Sequence, residues 1–269
     1  MTQKYEHLKE IIASYERLIV AFSGGVDSSF LLKTAYDVLG SNALAITVST
    51  PYIARWEIND ARRVAKEIGV SHLVMEKPWI DAIRHNPENR CYLCKHALFS
   101  SLGSFATEHN FSAIAEGSNV DDTLEYRPGR VALGELGINT PLLDAGLSKK
   151  EIRALSQELG LSTWDKPSYA CLLTRFAYDK PIAEGALMMV SEAEAYMIAQ
   201  GYPQMRVRYE EGLARIEMPQ NEAIRLLNDS HLNEVTEHLK SLGFLHVTLD
   251  LEGYRHGSIA ESLSILEKV

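Results

Sequence analysis

Tyr5, Leu8, Ile11, Ile12 and Tyr15 recur at helical spacing and predict an amphipathic first helix. Residues 18–22 (LIVAF) are then apolar at every position. Such a short run suits a strand buried on both faces of a parallel sheet. A glycine-containing turn leads into residues 28–39, which read as a helix stopped by Gly40. The alternation continues with strand patterns at 43–48 and 71–76 and a helical pattern at 56–68. Further on, 95–108 reads as a helix, and 112–115 and 140–143 as short strands. Ser148-Lys149-Lys150-Glu151 has the capping-box pattern, opening a helix that ends at Gly160.

Strands separated by helix-length segments predict a parallel sheet covered on both faces, an α/β domain. Beyond Phe176 the rhythm changes. Residues 184–199 read as a helix, 205–209 and 213–218 as strands around Glu210-Glu211-Gly212, and 221–227 and 233–242 as helices. A strand at 245–251 and a helix from Ser258 complete a smaller α+β domain. The expected domains are therefore 1–176 and 177–269.

The first strand runs into Ser23-Gly24-Gly25-Val26-Asp27-Ser28-Ser29. In a parallel α/β sheet, ligands bind beyond the carboxyl ends of the strands. The first turn of the following helix offers unpaired N–H groups, and Gly24 and Gly25 let backbone approach an anion closely. Ser23, Ser28 and Ser29 add hydroxyls. Asp27 beside a bound anion calls for a cation between them, and Mg²⁺ is the natural one. The competing reading is a turn whose serine and aspartate merely cap the helix. Glu116-Gly117-Ser118-Asn119-Val120-Asp121-Asp122 follows the strand at 112–115 and reads either as an Asx turn or as a nucleotide or magnesium contact.

Composition narrows the setting. Of 269 residues, 46% are hydrophobic and 23% charged, with a net charge of −9. That is globular composition without a broad basic face, which speaks against nucleic acid as a partner. Apolar runs are too short to span a bilayer and the first ten residues are polar, so the expected location is the cytoplasm. Three cysteines in such a setting suit metal or redox chemistry better than a disulfide framework. Cys91 and Cys94 form a CxxC pair at an expected helix start, where Arg90, Lys95 and the helix dipole favour thiolate. Cys171 lies in the loop leaving the α/β domain. The three read as small buried hydrophobes, as zinc ligands with His85 or His96, or as ligands of a [4Fe–4S] cluster with one iron open.

The phosphate loop resembles the SGGxDS signature of the PP-loop ATP pyrophosphatases. That resemblance implies ATP cleaved between its α- and β-phosphates, with pyrophosphate held by Ser23, Gly24, Gly25, Asp27, Ser28 and Ser29. It also implies nucleotide contacts from Thr47, Ser49, Gly117, Asn119 and Asp122. Together SGGVDSS, RCYLCK, EGSNVDD, EYRPGR and DKPSYACLLTRF resemble the LarE sulfur-insertion enzymes over nearly the whole chain. LarE enzymes adenylate a carboxylate of a pyridinium dicarboxylate mononucleotide, and sulfur then displaces AMP to leave a thiocarboxylate. The product is a precursor of the nickel-pincer cofactor of lactate racemase. Some members sacrifice the sulfur of one cysteine at the position of Cys171. This sequence also carries Cys91 and Cys94, matching the members in which a [4Fe–4S] cluster delivers sulfur from sulfide or another donor. A homo-oligomer is expected.

Arg206 and Arg208 share one face of an expected strand and are read, through the same resemblance, as contacts for the substrate's phosphate. Glu194 and Glu217 are expected metal ligands beside them. Arg127 and Arg130 flank an expected turn at Pro128-Gly129. A tRNA thiolase and an amide-forming ligase like NAD or GMP synthetase share the phosphate loop. The charge weighs against the first, and the second leaves Cys91, Cys94 and Cys171 without a role. A nucleotide-binding sensor would bind ATP and release no pyrophosphate.

Overall fold

The structure, a computed structural model, describes residues 3–123 and 128–255. They divide into two compact units. One comprises the described residues up to Ile83 together with Asn89–Tyr169, the other Arg84–Glu88 and the described residues from Ala170 on.

The first unit is built on four short strands, β1 (Leu18–Ala21), β2 (Ala43–Ser49), β3 (Ser71–Glu76) and β4 (Ala113–Ala115), in the order β3-β2-β1-β4. All three pairings are parallel. The helices are α1 (Gln3–Ala13), α2 (Val26–Leu39), α3 (Arg55–Ile68), α4 (Arg90–Glu108), α5 (Gly129–Glu135), α6 (Pro141–Asp144) and α7 (Lys149–Glu158). Successive β1 side chains explain the two-sided apolar run. Leu18 and Val20 join a core with α1, α2, α3 and α7, while Ile19 faces Phe99 and Leu102 of α4 and Leu133 of α5. β1 has β2 on one side and β4 on the other, so the chain changes direction across the sheet between β1 and β4. Ligands of such sheets bind beyond the strand ends at that point.

Three local expectations change. The segment expected as a strand at 140–143 instead holds α6, Pro141–Asp144, with Thr140 as its N-cap. Pro141 lacks the N–H a ladder needs and takes the first helical turn, and the segment contributes one bridge, Asn139 to Ala115. Helix α4 begins at Arg90, so both CxxC cysteines lie inside its first two turns. Pro128-Gly129 opens α5 rather than a free turn, while Arg127 and the expected final helix lie outside the described residues.

The second unit contains α8 (Glu184–Ala199), β5 (Arg206–Glu210), β6 (Leu213–Glu217), α9 (Gln220–Leu227), α10 (Leu232–Ser241) and β7 (His246–Leu249). β5 pairs antiparallel with β6, and β6 parallel with β7. The two-residue connection Glu211-Gly212 has φ of 48° and 91°. Two left-handed residues are what a tight hairpin matched to strand twist requires. Asn86 belongs here because its amide donates to the carbonyls of Leu173, Phe176 and Ala177. Among the described residues no helix is long and apolar enough to cross a membrane.

Candidate active site

The β1–α2 loop folds on itself through its serines. Ser23 Oγ lies 3.0 Å from Ser28 Oγ, and the Gly25 N–H donates to Ser23 Oγ at 3.3 Å. Gly24 has φ of 68°, and a Cβ there would come within 2.9 Å of Ala61 Cα. Glycine is thus required twice over, by backbone conformation and by the close passage of α3. Ser28 and Ser29 are buried, Ser29 with no exposed surface. Lys166 binds the loop from behind, donating to the Gly24 carbonyl at 2.8 Å and pairing with Asp60.

The turn after β4 comes up against this loop. A Cβ on Gly117 would lie 3.1 Å from both Asp27 Cβ and the Ser28 nitrogen. Asn119 accepts from the Asp121 N–H through Oδ1 (3.0 Å) and donates to Asp27 Oδ1 through Nδ2 (3.2 Å). The segment is therefore an Asx turn and also an arm reaching the phosphate loop. Asp122 accepts from the Asn119 N–H at 3.0 Å. Asp27 is ion-paired with Lys149 of α7. Burial pushes the Asp27 carboxyl above its usual range, Lys149 pulls it back, and nearby Asp122 adds to the rise. For a hard cation that keeps waters and phosphates as ligands, one or two carboxylates suffice, and Asp27 with Asp122 fit that donor type.

Thr47 donates to the Phe22 carbonyl at 2.7 Å and lies 2.8 Å from His72 Nε2, so its hydroxyl is committed inside the sheet. Ser49 ends β2, where its carbonyl accepts from Lys77. In α4, Cys91 is exposed and Cys94 half-buried, its Sγ 3.4 Å from the Tyr52 hydroxyl. Burial pushes the Cys94 thiol up, more than Tyr52 and Lys95 bring it down. Burial thus opposes the lowering that the Cys94 position at a helix start, beside Lys95, predicts. Lys95 pairs with Glu116 at 3.4 Å.

In the second unit, Cys171 starts the turn Leu172–Arg175. Arg175 grips Glu194 with two bonds of 2.8 and 2.9 Å and donates to the Ala170 carbonyl at 3.0 Å. Glu194 also accepts from the Val207 N–H at 3.0 Å. Arg208 binds Glu217 at 2.8 Å and the Thr174 carbonyl, and Arg206 lies over the Tyr254 ring. Both are buried. Glu194 and Glu217, expected to ligate a metal, instead have their oxygens engaged by arginines. Among the described residues no group of three or more His, Cys, Asp or Glu side chains is placed to hold a metal ion. The three free cysteines fit an iron–sulfur cluster by donor type, two of them on one helix at i and i+3.

Lys149, Lys166 and Asp60 were not among the residues expected in the site, and Lys95 was expected only as a flank of the cysteine pair. One signal was legible for Lys149: a cation in the first turn of a helix meets the positive end of its dipole and calls for a nearby acid.

No family model matches the chain. Comparison with known proteins nevertheless finds relatives of the same length. It is 41% identical over 266 residues to an uncharacterized protein of Synechocystis, covering 98% of this chain and 99% of the relative. It is also 34% identical to the pyridinium-3,5-bisthiocarboxylic acid mononucleotide synthase of Lactiplantibacillus plantarum, covering 98% and 96%. The chain belongs to the LarE family. More distant likeness reaches other PP-loop enzymes over about half of each chain. A tRNA-specific 2-thiouridylase of Rhodospirillum rubrum is 31% identical over 56% of this chain and 51% of its own length. LarE-family likeness covers nearly all of the chain, whereas the thiouridylase match covers about half of it.

Proposed function

We propose that this chain is an ATP-dependent sulfur transferase acting on a pyridinium dicarboxylate mononucleotide, in biosynthesis of the nickel-pincer cofactor of lactate racemase. Supporting it is the anion cradle between β1 and β4 in a chain matching the named synthase from end to end. The N–H groups and hydroxyls around Ser23, Gly24, Gly25 and Ser28 hold the departing pyrophosphate, while Thr47, Ser49 and Gly117 border the nucleoside side. A substrate carboxylate oxygen attacks the α-phosphorus of ATP, the bond to the β-phosphate oxygen breaks, and pyrophosphate leaves. A sulfur nucleophile then attacks the acyl carbon, and AMP departs to leave a thiocarboxylate. Asp27, oriented by Asn119 and supported by Asp122, anchors Mg²⁺, which when bound neutralises phosphate charge. Arg206 and Arg208 receive the substrate's own phosphate.

The sulfur chemistry belongs to Cys91, Cys94 and Cys171. We assign them as ligands of a [4Fe–4S] cluster, which when bound supplies an iron site for sulfide. The enzyme acts in the cytoplasm as a homo-oligomer on this reading. The test is product analysis with ATP, Mg²⁺, the mononucleotide and sulfide under anaerobic conditions. AMP and pyrophosphate in equal amounts are expected, and ADP would overturn the adenylation reading. Mass spectrometry after many turnovers should show Cys171 intact; loss of hydrogen sulfide from it would replace the cluster with a sacrificial cysteine.

A further inference from the structure

Edge strand β3 and helix α3 border an open cavity of about 620 Å³. Arg62 and Lys66 of α3, His72 and Val74 of β3, and Gly69 and Val70 of the turn between them line it. None of these six is acidic. Arg62 and Lys66 lie four apart on one helix and therefore share a face. Two acids of the same helix are taken up elsewhere: Asp60 binds Arg63 and Lys166, and Glu67 binds Arg63 and Ser162. Arg62 gives one N–H to Asn59 at 3.0 Å, and among the described residues neither it nor Lys66 pairs with an acid.

His72 is the cavity's remaining polar side chain, and its hydrogen bonds define where its proton lies. Thr47 has one hydroxyl hydrogen and donates it to the Phe22 carbonyl at 2.7 Å. The 2.8 Å contact between Thr47 Oγ1 and His72 Nε2 therefore requires the proton on Nε2. Burial, with Arg62 nearby, holds the imidazole below its usual value, so at pH 7 the ring is neutral and Nδ1 is an acceptor. Two cationic donors and one neutral acceptor fit an anion that also carries a hydroxyl hydrogen. Inorganic phosphate keeps such a hydrogen at pH 7. Sulfate has none, and a phosphate monoester, with a second pKa of about 6, has mostly lost it.

We propose that the α3–β3 cavity is a binding site for inorganic phosphate, its charged oxygens on Arg62 and Lys66 and its P–OH donating to His72 Nδ1. The site stands whether or not the Ser23–Ser29 loop binds ATP. It does touch the root of that loop, because the His72 ring meets Phe22 edge-on with centroids 5.7 Å apart, and Phe22 precedes Ser23.

The test follows the His72 ring and the Gly25 amide by NMR at pH 7 while inorganic phosphate, sulfate or phenyl phosphate is added to wild type and to R62M/K66M. In wild type, phosphate should shift the His72 ring saturably, with sulfate and phenyl phosphate weaker by about tenfold or more, the range for one hydrogen bond to a charged group. R62M/K66M should weaken the His72 response to phosphate by about tenfold or more, while its Gly25 amide behaves as in wild type. A His72 ring unmoved by phosphate would overturn the proposal. So would an unchanged His72 response in R62M/K66M, which would trace the shift to phosphate bound at the Ser23–Ser29 loop. Sulfate or phenyl phosphate binding as tightly as phosphate would overturn the selection of a hydroxyl by His72, leaving only attraction between charges. Equal losses at His72 and Gly25 in the variant would also overturn the proposal, because the substitutions would then act on the whole fold and not on one cavity.

Discussion

Replacing Arg175 by methionine isolates the cost of a broken buried ion pair. Both side chains of the Arg175–Glu194 pair are 1% exposed, so solvent does not screen it. Arg175→Met removes two bonds to Glu194 together with those to the Ala170 and Cys171 carbonyls and the Thr174 hydroxyl, and leaves the Glu194 carboxylate with the Val207 N–H. Removing one partner of a buried pair costs about 3–5 kcal/mol, mostly because the other charge stays buried and uncompensated. With a urea dependence of about 2 kcal/mol per M, the midpoint should fall by about 2 M. The double variant R175M/E194M removes both charges and should recover much of that loss, since an apolar pair of similar volume often substitutes without penalty. Urea unfolding followed by far-ultraviolet circular dichroism of the wild type, both singles and the double closes the cycle. A single-variant loss below about 1 kcal/mol, the range of an exposed pair, would refute the argument. So would a double variant as unstable as the sum of the singles.

Three further outcomes are expected. The Glu151 carboxyl is held down to about 2 by Lys4 and by the N–H and hydroxyl of Ser148. A lowered carboxyl stabilises the fold above its unfolded value of 4.5 and loses that contribution as pH falls towards 2. Glu151 is about a third exposed, so the shift must be discounted for screening and Glu151→Gln should cost only about 1 kcal/mol at pH 7. The gap to wild type in thermal melts should close steadily below pH 4.5. Gly24→Ala combines a positive φ with a backbone clash at Ala61 and should cost about 1–3 kcal/mol, read from the melting temperature. Arg206→Lys keeps a charge and loses the guanidinium fork. It should raise KM for the mononucleotide about tenfold with KM for ATP unchanged, as steady-state kinetics would report.

The strand–loop–helix of residues 18–39 was readable because every signal in it is local: an apolar run, two glycines, then a helical period. The capping box at Ser148 is equally local, and the structure contains both of its bonds. What could not be read is the partnership between distant charges. Lys149 and Lys166 look like ordinary solvated lysines until the fold carries them to residues 122 and 142 positions away. The same blindness misplaced Glu194 and Glu217. Two acids near two arginines on paper suggested a metal, whereas in the folded unit the arginines themselves satisfy the acids. The error at 140–143 has another origin. Two leucines after a threonine suit either element, and Pro141 decides for a helix start.

A chain of net charge −9 that handles phosphates must place its cations locally, and where they lie constrains the substrate. A protein that tracks a nucleic-acid backbone needs many exposed lysines and arginines, each neutralising one phosphate in succession. Here the second unit buries its arginines, with Arg175, Arg206 and Arg208 only 2%, 5% and 7% exposed. Arg175 and Arg208 are each held by a buried acid, and Arg206 lies against Tyr254. On the proposed reading, in which Arg206 and Arg208 meet the substrate's phosphate, forks fixed in that way have little side-chain freedom left to lose on binding, which favours one small anion in one geometry. They cannot follow a flexible polymer.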